Sequence, residues 1–241
     1  MTRVLVIDDE RGNLNMFRLF LKAYGYEVFV AENGQVGLEI AEKERPPIVF
    51  TDIKMPGIDG LEVLKRLKAM NPDTEVIVIT GHGDMDLAVQ ALNLNATDFI
   101  NKPIQRSALD AALARAEERI RQVGGQENRI SLEQVNDAVI LNIFGNLTSR
   151  SERMLLDAYQ EATSQGAQRL LLRFEETSSI NGAGLAVLIR LLSESKKQGQ
   201  RISITGISEN FARIFEMVGI TRFATVYESE ETALQALKNL G

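Results

Sequence analysis

Short apolar runs alternate with segments of helical spacing over the first half of the chain. The runs lack in-and-out alternation, which is typical of strands buried on both faces of a parallel sheet. The runs are 4–7, 28–30, 48–50, 76–79 and 99–100, and the helical segments are 12–24, 34–44, 59–70, 84–94 and 105–123. The pattern predicts a doubly wound α/β domain with a five-stranded parallel sheet.

The second half orders its elements differently. Predicted strands are 130–135, 137–144, 169–174, 201–205 and 224–227, and predicted helices are 149–165, 183–198, 208–217 and 229–239. Between the halves, Gly124 and Gly125 break a helical pattern and polar residues follow them, which favours a linker. We therefore expect domains over 1–122 and 130–241, joined by a linker over 123–129.

Composition narrows the possible functions. The chain of 241 residues has 27 Lys+Arg and 33 Asp+Glu, a net charge of -6 that disfavours direct nucleic-acid binding. Without cysteine and with one histidine, a disulfide or structural zinc site is not expected. The longest apolar run, 185–189, is far shorter than the roughly 20 residues of a membrane helix, and acids follow the first strand too early for a signal peptide. We expect a cytoplasmic protein without a membrane contact.

Polar side chains follow four of the predicted strands. Asp8 and Asp9 follow the first strand, Asp52 the third, Thr80 ends the fourth and Lys102 follows the fifth. The carboxyl ends of parallel strands meet at one edge, so these groups should converge. A single strand-end Asp is commonly a helix cap. Three converging carboxylates, however, need cations, which Lys102 and a hard divalent ion such as Mg²⁺ would supply.

The motifs around these residues resemble the receiver domain of two-component response regulators. They are VLVIDDE at 4–10, TDIKMPGIDG at 51–60, ITGHG at 79–83 and DFINKP at 98–103. The resemblance covers about residues 1–122. It implies a role in phosphorelay signal transduction, phosphorylation by a sensor histidine kinase and Mg²⁺ as cofactor. No catalysis is expected beyond self-phosphorylation and slow self-dephosphorylation.

The resemblance also assigns roles in metal binding and phosphorylation. It implies that Asp52 is the phosphoacceptor. Mg²⁺ would be bound directly by Asp9 and Asp52 and by the backbone carbonyl of Lys54, with Asp8 acting mainly through a water.

Further roles concern the phosphoryl group and the switch. Thr80 and Lys102 would bind phosphoryl oxygens, and Phe99 would be the switch aromatic that turns inward when Thr80 moves. His82 could be a catalytic base, but an exposed loop residue is the favoured interpretation. The side chain of Lys54 is expected at the rim. The Lys102–Pro103 bond is either cis, as is common in the family, or trans at the start of the last helix.

The fifth helical segment carries an apolar seam with spacings of 4, 3, 4 and 3. Its members are Leu109, Leu113, Ala116, Ile120 and Val123. Packing on the domain's own sheet explains the first two. The receiver helix should end near residue 117, yet the seam continues to 123. We therefore predict a short dimeric coiled segment and a homodimer.

The second half resembles the STAS domain, the fold of anti-sigma factor antagonists. The resemblance rests on the stretch 145–148, the turn 180–185, the region of Gly206 and the terminal helix. It implies a mixed sheet of four or five strands backed by helices, with no catalysis of its own. It also implies a partner surface around the turn, for which we single out Ser178, Ser179, Asn181 and Gly182.

One feature of this turn departs from the antagonists. There the turn reads Asp-Ser-Ser-Gly-Leu and a partner kinase phosphorylates the first serine. Here the matching positions are Asn181, Gly182 and Ala183, so the acceptor hydroxyl is missing. Glycines at a helix start can bind phosphate, but the P-loop order is absent and tight packing is the favoured interpretation.

These features together predict a response regulator with a STAS output domain. Phosphorylated Asp52 would govern binding to an anti-sigma factor or a related serine kinase. One alternative is a scaffold that builds a larger signalling assembly. Another is a STAS domain that senses a small ligand or nucleotide.

Overall fold

The computed structural model describes residues 1–81, 83–122, 129–175 and 178–239. The chain divides into two compact units, Met1–Gln126 and Glu127–Gly241. Most of the predicted linker, together with His82, lies outside the described residues. None of the helices in the described ranges combines the length and apolar character that crossing a bilayer requires.

The first unit is a doubly wound α/β fold, as predicted. Its strands follow the order β2-β1-β3-β4-β5 and all pair in parallel. The elements are β1 (Arg3–Ile7), α1 (Arg11–Ala23), β2 (Glu27–Ala31), α2 (Gly34–Glu44), β3 (Ile48–Asp52), α3 (Gly60–Met70), β4 (Glu75–Thr80), α4 (Met85–Asn93), β5 (Asp98–Asn101) and α5 (Arg106–Gln122). The strand order reverses between β1 and β3, which places a crevice beyond their carboxyl ends.

Burial on both faces explains why the central strands form. Every residue of β3 and β4 is buried. Phe17 of α1 packs against Phe50 of β3 with ring centroids 5.2 Å apart. Each fully buried apolar side chain contributes roughly 1.5–3 kcal/mol. The central sheet is therefore a rigid support for the polar residues at its edge.

A glycine brings α3 against the backbone of the third strand. A Cβ atom at Gly60 would lie 2.1 Å from the carbonyl oxygen of Asp52. The Gly60 N–H donates to the carbonyl of Ile53 at 2.9 Å, and the Asp59 side chain caps the helix by accepting from the N–H of Glu62. The β3–α3 connection is thus held in one position beside Asp52.

The apolar seam of α5 packs on the receiver's own core. Leu109, Leu113 and Ala116 are buried in the core cluster, and Ile120 is partly buried against it. The helix continues past residue 117 to Gln122, as the seam predicted. Because Ile120 already has a partner within the unit, intramolecular packing explains more of the seam than expected. Val123 lies outside the described residues, and the homodimer stays a prediction.

The second unit has a mixed sheet, as the resemblance implied. Its strand order is β10-β9-β8-β7-β6, with β6 antiparallel to β7 and the other pairs parallel. The elements are β6 (Arg129–Val135), β7 (Ala138–Phe144), α6 (Glu152–Ser164), β8 (Arg169–Phe174), α7 (Gly182–Lys197), β9 (Arg201–Thr205), α8 (Glu209–Met217), β10 (Ala224–Val226) and α9 (Glu230–Asn239). Short 3-10 turns occupy Ser149–Ser151 and Ile220–Arg222.

Candidate functional site

The predicted convergence of polar residues at the edge of the first sheet is present. Asp8 and Asp52 are 0% and 5% exposed. The Lys102 ammonium nitrogen Nζ lies 2.5 Å from Oδ2 of Asp52 and 3.4 Å from Oδ2 of Asp8. The Lys102 N–H donates to the Thr80 carbonyl at 2.8 Å, which aligns the ends of the fourth and fifth strands. One cation therefore links two buried carboxylates from different strands.

The carboxylates in this pocket form a donor set that suits a hard cation. Asp8, Glu10 and Asp52 each offer an oxygen within 4.8 Å of the other two. Oxygen donors of this kind are preferred by Mg²⁺. Oδ2 of Asp8 also accepts from the Asn13 side chain at 3.0 Å, and Oδ1 of Asp52 accepts from the Lys54 N–H at 3.2 Å. The residues present therefore fit a magnesium ion.

The third carboxylate of the group is Glu10, where the sequence predicted Asp9. Oδ1 of Asp8 accepts from the Glu10 N–H at 2.8 Å, which turns the chain so that the second residue after Asp8 faces the pocket. The Glu10 carboxylate lies 3.1 Å from Lys102 Nζ, whereas Asp9 is exposed and is not in the group. The direct-ligand role of Asp9 and the role of the Lys54 carbonyl stay predictions.

The pKa values of Asp52 and Lys102 are both raised, for different reasons. Burial raises the pKa of Asp52, while the hydrogen bond and charge of Lys102 lower it and the charge of Asp8 raises it further. Burial alone lowers the pKa of Lys102, but its contacts with Asp52, Glu10 and Asp8 outweigh this and raise it above its usual value. Lys102 therefore keeps its positive charge beside the carboxylate of Asp52.

The hydroxyl of Thr80 has a partner that the sequence did not predict. Thr80 is buried, and its Oγ1 donates to Oδ1 of Asn101 at 2.8 Å. Phe99, two residues before Asn101 on the same strand, is fully buried. Asn101 stands next to Lys102 in the sequence, which was the available signal. Its side-chain partner depends on strand register, with Thr80 directly opposite Asn101.

The remaining predicted residues of this pocket lie at its rim. The Lys54 side chain is 66% exposed, as expected of a rim residue, and its Nζ pairs with Oδ1 of Asp84 at 2.8 Å. This ion pair joins the loop after β3 to the loop after β4. The Lys102–Pro103 peptide bond is cis, the first of the two forms considered.

Two domain families match the chain in succession. The response regulator receiver domain matches residues 4–114, and the STAS domain matches residues 129–233. Sporulation initiation phosphotransferase F of Bacillus subtilis is 37% identical over 101 residues, which are 42% of this chain and 82% of that protein. The chain belongs to the response regulators. Its receiver domain is followed by a STAS domain, so both predicted resemblances are confirmed.

Two transcriptional regulators share part of their length with this response regulator, and a solved receiver domain shares nearly all of its own. The transcriptional regulatory protein DctD of Pseudomonas aeruginosa is 42% identical over 116 residues, 48% of this chain and 25% of that protein. FixJ of Bradyrhizobium diazoefficiens is 36% identical over 113 residues, 47% of this chain and 55% of that protein. A solved receiver domain from Clostridium thermocellum is 32% identical, with a TM-score of 0.48, over 52% of this chain and 98% of that one. The response regulator thus spans a quarter to about half of the two transcriptional regulators.

Receiver domains bind Mg²⁺ at an acidic pocket, and the carboxylate group of this response regulator lies where that pocket is expected. The pocket is formed by residues that follow β1 and by the last residue of β3, at the point where the strand order reverses. The position agrees with the general location of ligands in doubly wound sheets.

The residues predicted to form the partner surface of the STAS domain are mostly buried, and their role in partner binding stays a prediction. Ser178, Ser179 and Asn181 are 8%, 1% and 9% exposed, and Gly182 is half-buried. The Ser179 hydroxyl donates to Oδ1 of Asn146 at 2.7 Å, and Oδ1 of Asn181 caps the next helix by accepting from the Gly184 N–H at 2.9 Å. The polar groups of this turn therefore close the turn instead of facing outward.

Exposed residues lie beside this buried turn. Arg150 follows the β7 end, and Ala183 and Ala186 lie on the first turns of α7; all three are exposed. A Cβ atom at Gly184 would lie 2.1 Å from the carbonyl oxygen of Leu147, so α7 begins tightly against the loop that carries Arg150. The loop that carries Arg150 and the start of α7 both have exposed residues, and the mostly buried turn 180–185 fixes them next to each other.

Proposed function

We propose that phosphorylation of Asp52 by a sensor histidine kinase, with Mg²⁺ as cofactor, controls binding of a protein partner by the STAS domain. The observation that carries the first part is the Lys102 ammonium group, 2.5 Å from Asp52 and 3.4 Å from Asp8. This positive charge lies beside a buried carboxylate, at the position where phosphoryl oxygens would bind. The receiver family of the chain supports the same reaction.

The reaction is transfer of a phosphoryl group from a phosphohistidine. A carboxylate oxygen of Asp52 forms a bond to phosphorus while the bond from phosphorus to the imidazole nitrogen breaks, and the imidazole keeps the electron pair and takes up a proton. Charge spreads over three equatorial oxygens in the transition state. Lys102 offsets this charge, and the Thr80 hydroxyl can donate to one oxygen after it leaves Asn101.

The acidic residues of the pocket would hold the metal ion. Asp8 and Asp52 bring buried carboxylates, Glu10 is the third carboxylate within reach, and the family resemblance adds Asp9 and the Lys54 carbonyl. When bound, Mg²⁺ supplies positive charge that stabilises the phosphoryl oxygens. Beyond self-phosphorylation and slow self-dephosphorylation, we propose no enzymatic activity.

The proposed output is binding of an anti-sigma factor or a related serine kinase to the exposed surface around the α7 turn. In this chain, control by serine phosphorylation is disfavoured at that turn. Gly182 and Ala183 have no hydroxyl, and the hydroxyls of Ser178 and Ser179 belong to buried residues. A phosphate would add roughly -1.5 to -2 charges to a closed turn. We propose that control passes to Asp52 instead.

An affinity capture tests the proposed output directly. The full chain serves as bait with and without beryllofluoride and Mg²⁺, and Asp52→Asn is the control that cannot respond. A partner retained in one state only, and indifferent to beryllofluoride on the Asp52→Asn bait, supports the proposal. The same retained proteins in all samples would contradict control by Asp52.

A further inference from the structure

A cavity of about 430 Å³ opens at the amino ends of β9 and β10 in the STAS domain. Its walls come from the end of α7, the turn Ile220–Arg222, the two strands and α9. The proposed partner surface lies at the start of α7, which follows the carboxyl end of β8. The cavity is therefore at the opposite end of the sheet from that surface, and nothing so far assigns it a role.

Positive charge collects around this cavity. Lys196, Arg201 and Arg222 line it, and no Asp or Glu of the described residues does. This is unusual for a domain with 12 Lys+Arg and 14 Asp+Glu after residue 125. Three cations that line one space repel each other. Their summed positive charge is also larger than the partial negative charge at the carboxyl end of α7. An anion would relieve this repulsion.

The three cations of the cavity differ in their pairing from five other cations of the domain. Five other cations form ion pairs with carboxylates: Arg153, Arg169, Arg173, Arg190 and Lys197. In the part of the domain that the structure describes, no ion pair involves the cations of the cavity. Their charges are therefore available to a ligand.

Local contacts hold two of the cationic segments in place. Nζ of Lys196 donates to the Arg222 carbonyl at 3.1 Å and lies 5.4 Å from the centre of the Phe223 ring. An ammonium group has three donors, so this contact leaves others for a ligand. The Arg201 N–H donates to the Gln168 carbonyl at 2.9 Å, which fixes the start of β9.

The cavity also has an apolar wall. Ile202 and Leu237 are 6% and 3% exposed, and Phe223 lies beside them in the lining. Pockets for small molecules usually have volumes of roughly 300–1,000 Å³ and combine apolar walls with a few polar groups. A ligand that matches both features carries an anionic group at one end and an apolar group at the other.

We propose that this cavity binds a small organic phosphate ester. Its phosphate would lie between Arg201 and Arg222, and its apolar portion would lie against Ile202, Phe223 and Leu237. A phosphate fits this site because guanidinium groups bind phosphate oxygens in a two-pronged geometry and because three cations match its double charge. The STAS domain would then receive a second, chemical input besides phosphorylation of Asp52.

Calorimetric titration of the full chain tests the proposal. The probes are adenosine diphosphate and phenyl phosphate, with pyrophosphate as the anion alone and adenosine as the apolar portion alone. We expect an ester to bind, and Arg201→Gln or Arg222→Gln to weaken it roughly tenfold or more, because a charged hydrogen bond contributes about 1.5–3 kcal/mol. Both arginines are exposed, so the variants should fold.

The matched control is Arg213→Gln, which removes the same charge from an exposed position of α8 outside the cavity. It should bind the ester as the unchanged protein does, and so should Asp52→Asn, which separates this proposal from the proposed phosphorylation. Lack of binding by both esters would overturn the proposal. So would equal losses in all three arginine variants, or pyrophosphate binding as tightly as either ester.

Discussion

At the scale of single residues, Asn101 accepts a hydrogen bond from the hydroxyl of Thr80, which is the hydroxyl that a phosphoryl group on Asp52 would need. The Oγ1 of Thr80 donates to Asn101 Oδ1 at 2.8 Å, and the same hydroxyl is expected to donate to a phosphoryl oxygen. A neutral hydrogen bond contributes about 0.5–1.5 kcal/mol net. Breaking it would therefore oppose the phosphorylated state by a comparable amount.

Asn101→Ala should strengthen beryllofluoride binding by roughly 2- to 10-fold at saturating Mg²⁺, since the competing acceptor is removed. The apparent dissociation constant can be measured by titration monitored with NMR. Asn15→Ala, at an exposed position of α1, is the control and should leave the constant unchanged. An unchanged or weaker constant for Asn101→Ala would show that Asn101 does not hold Thr80 back.

The lowered pKa of Lys68 should make the free energy of unfolding of the receiver depend on pH. Burial lowers its pKa to about 8, with Arg119 adding to this effect and Glu75 and Asp73 opposing it. Its ammonium group donates to the Thr74 carbonyl at 2.6 Å. Between about pH 8 and the usual lysine pKa of about 10.4, the unfolded chain binds more protons than the folded one, so stability rises with pH.

We expect the free energy of unfolding of the receiver to rise from about pH 8 to about pH 10, by less than about 1.4 kcal/mol per pH unit because Lys68 keeps some exposure. Calorimetry at a series of pH values can measure this free energy. The unfolding transition of the receiver is identified as the one whose midpoint temperature rises when beryllofluoride is added. Lys68→Met should lose the rise. If that variant shows the same pH profile as the unchanged protein, Lys68 is not its source.

The sequence could locate the main residues of the pocket but not their partners. Asp8, Asp52 and Lys102 were predictable because parallel strands bring their carboxyl ends to one edge. The approach of Glu10 depends on one side-chain hydrogen bond of Asp8 that turns the chain after β1. The partner of Thr80 likewise depends on strand register, which the apolar pattern alone does not define.

At the scale of elements, the connection from β3 to α3 positions Asp52, the proposed phosphoacceptor. Gly60→Ala should destabilise the receiver by about 1–3 kcal/mol, because the new Cβ would lie 2.1 Å from a backbone oxygen that no rotamer can move. It should also slow phosphorylation of Asp52. Unfolding and the rate of phosphorylation by acetyl phosphate are the measurements.

Gly12→Ala is the matched control for this change. It is a helical glycine with no atom within 4 Å of the added Cβ, so alanine should stabilise by about 0.4–1 kcal/mol. If the two substitutions change the free energy of unfolding and the rate of phosphorylation equally, the close approach of Gly60 to Asp52 contributes to neither.

The fifth helix carries the prediction of a homodimer. Ile120→Glu should weaken self-association in sedimentation, most clearly with beryllofluoride, if the distal seam contacts a second chain. Ser107→Glu, on the exposed start of α5, is the control. Because Ile120 also packs on the receiver core, unfolding is measured in parallel. Monomers in every sample at tens of micromolar would leave the seam as core packing alone.

The apolar pattern predicted the bounds of elements well where a strand is buried throughout or a helix has one buried face. The predicted strand 76–79 lies within β4, and predicted helix 59–70 matches α3 within one residue. The STAS turn is a different case, since its motif located the turn correctly but could not reveal that Ser179 and Asn181 are buried. A polar loop residue is usually expected to be exposed, and here hydrogen bonds within the turn reverse that expectation.

At the scale of the whole molecule, a receiver domain is followed by a STAS domain. In the receiver, Lys102 contacts the carboxylates of Asp8, Glu10 and Asp52, and the STAS domain has an exposed surface beside a buried turn. In the proposed function, phosphorylation of Asp52 controls that surface. The identity of the acceptor is the claim on which the rest depends.

The most direct test is intact-mass measurement after incubation with acetyl phosphate, with and without Mg²⁺. The account predicts that the unchanged protein and Asp73→Asn, an exposed control, each gain one hydroxylamine-sensitive phosphoryl group only with Mg²⁺, and that Asp52→Asn gains none. A full phosphoryl group on Asp52→Asn, or undiminished phosphorylation of the unchanged protein without Mg²⁺, would contradict the account.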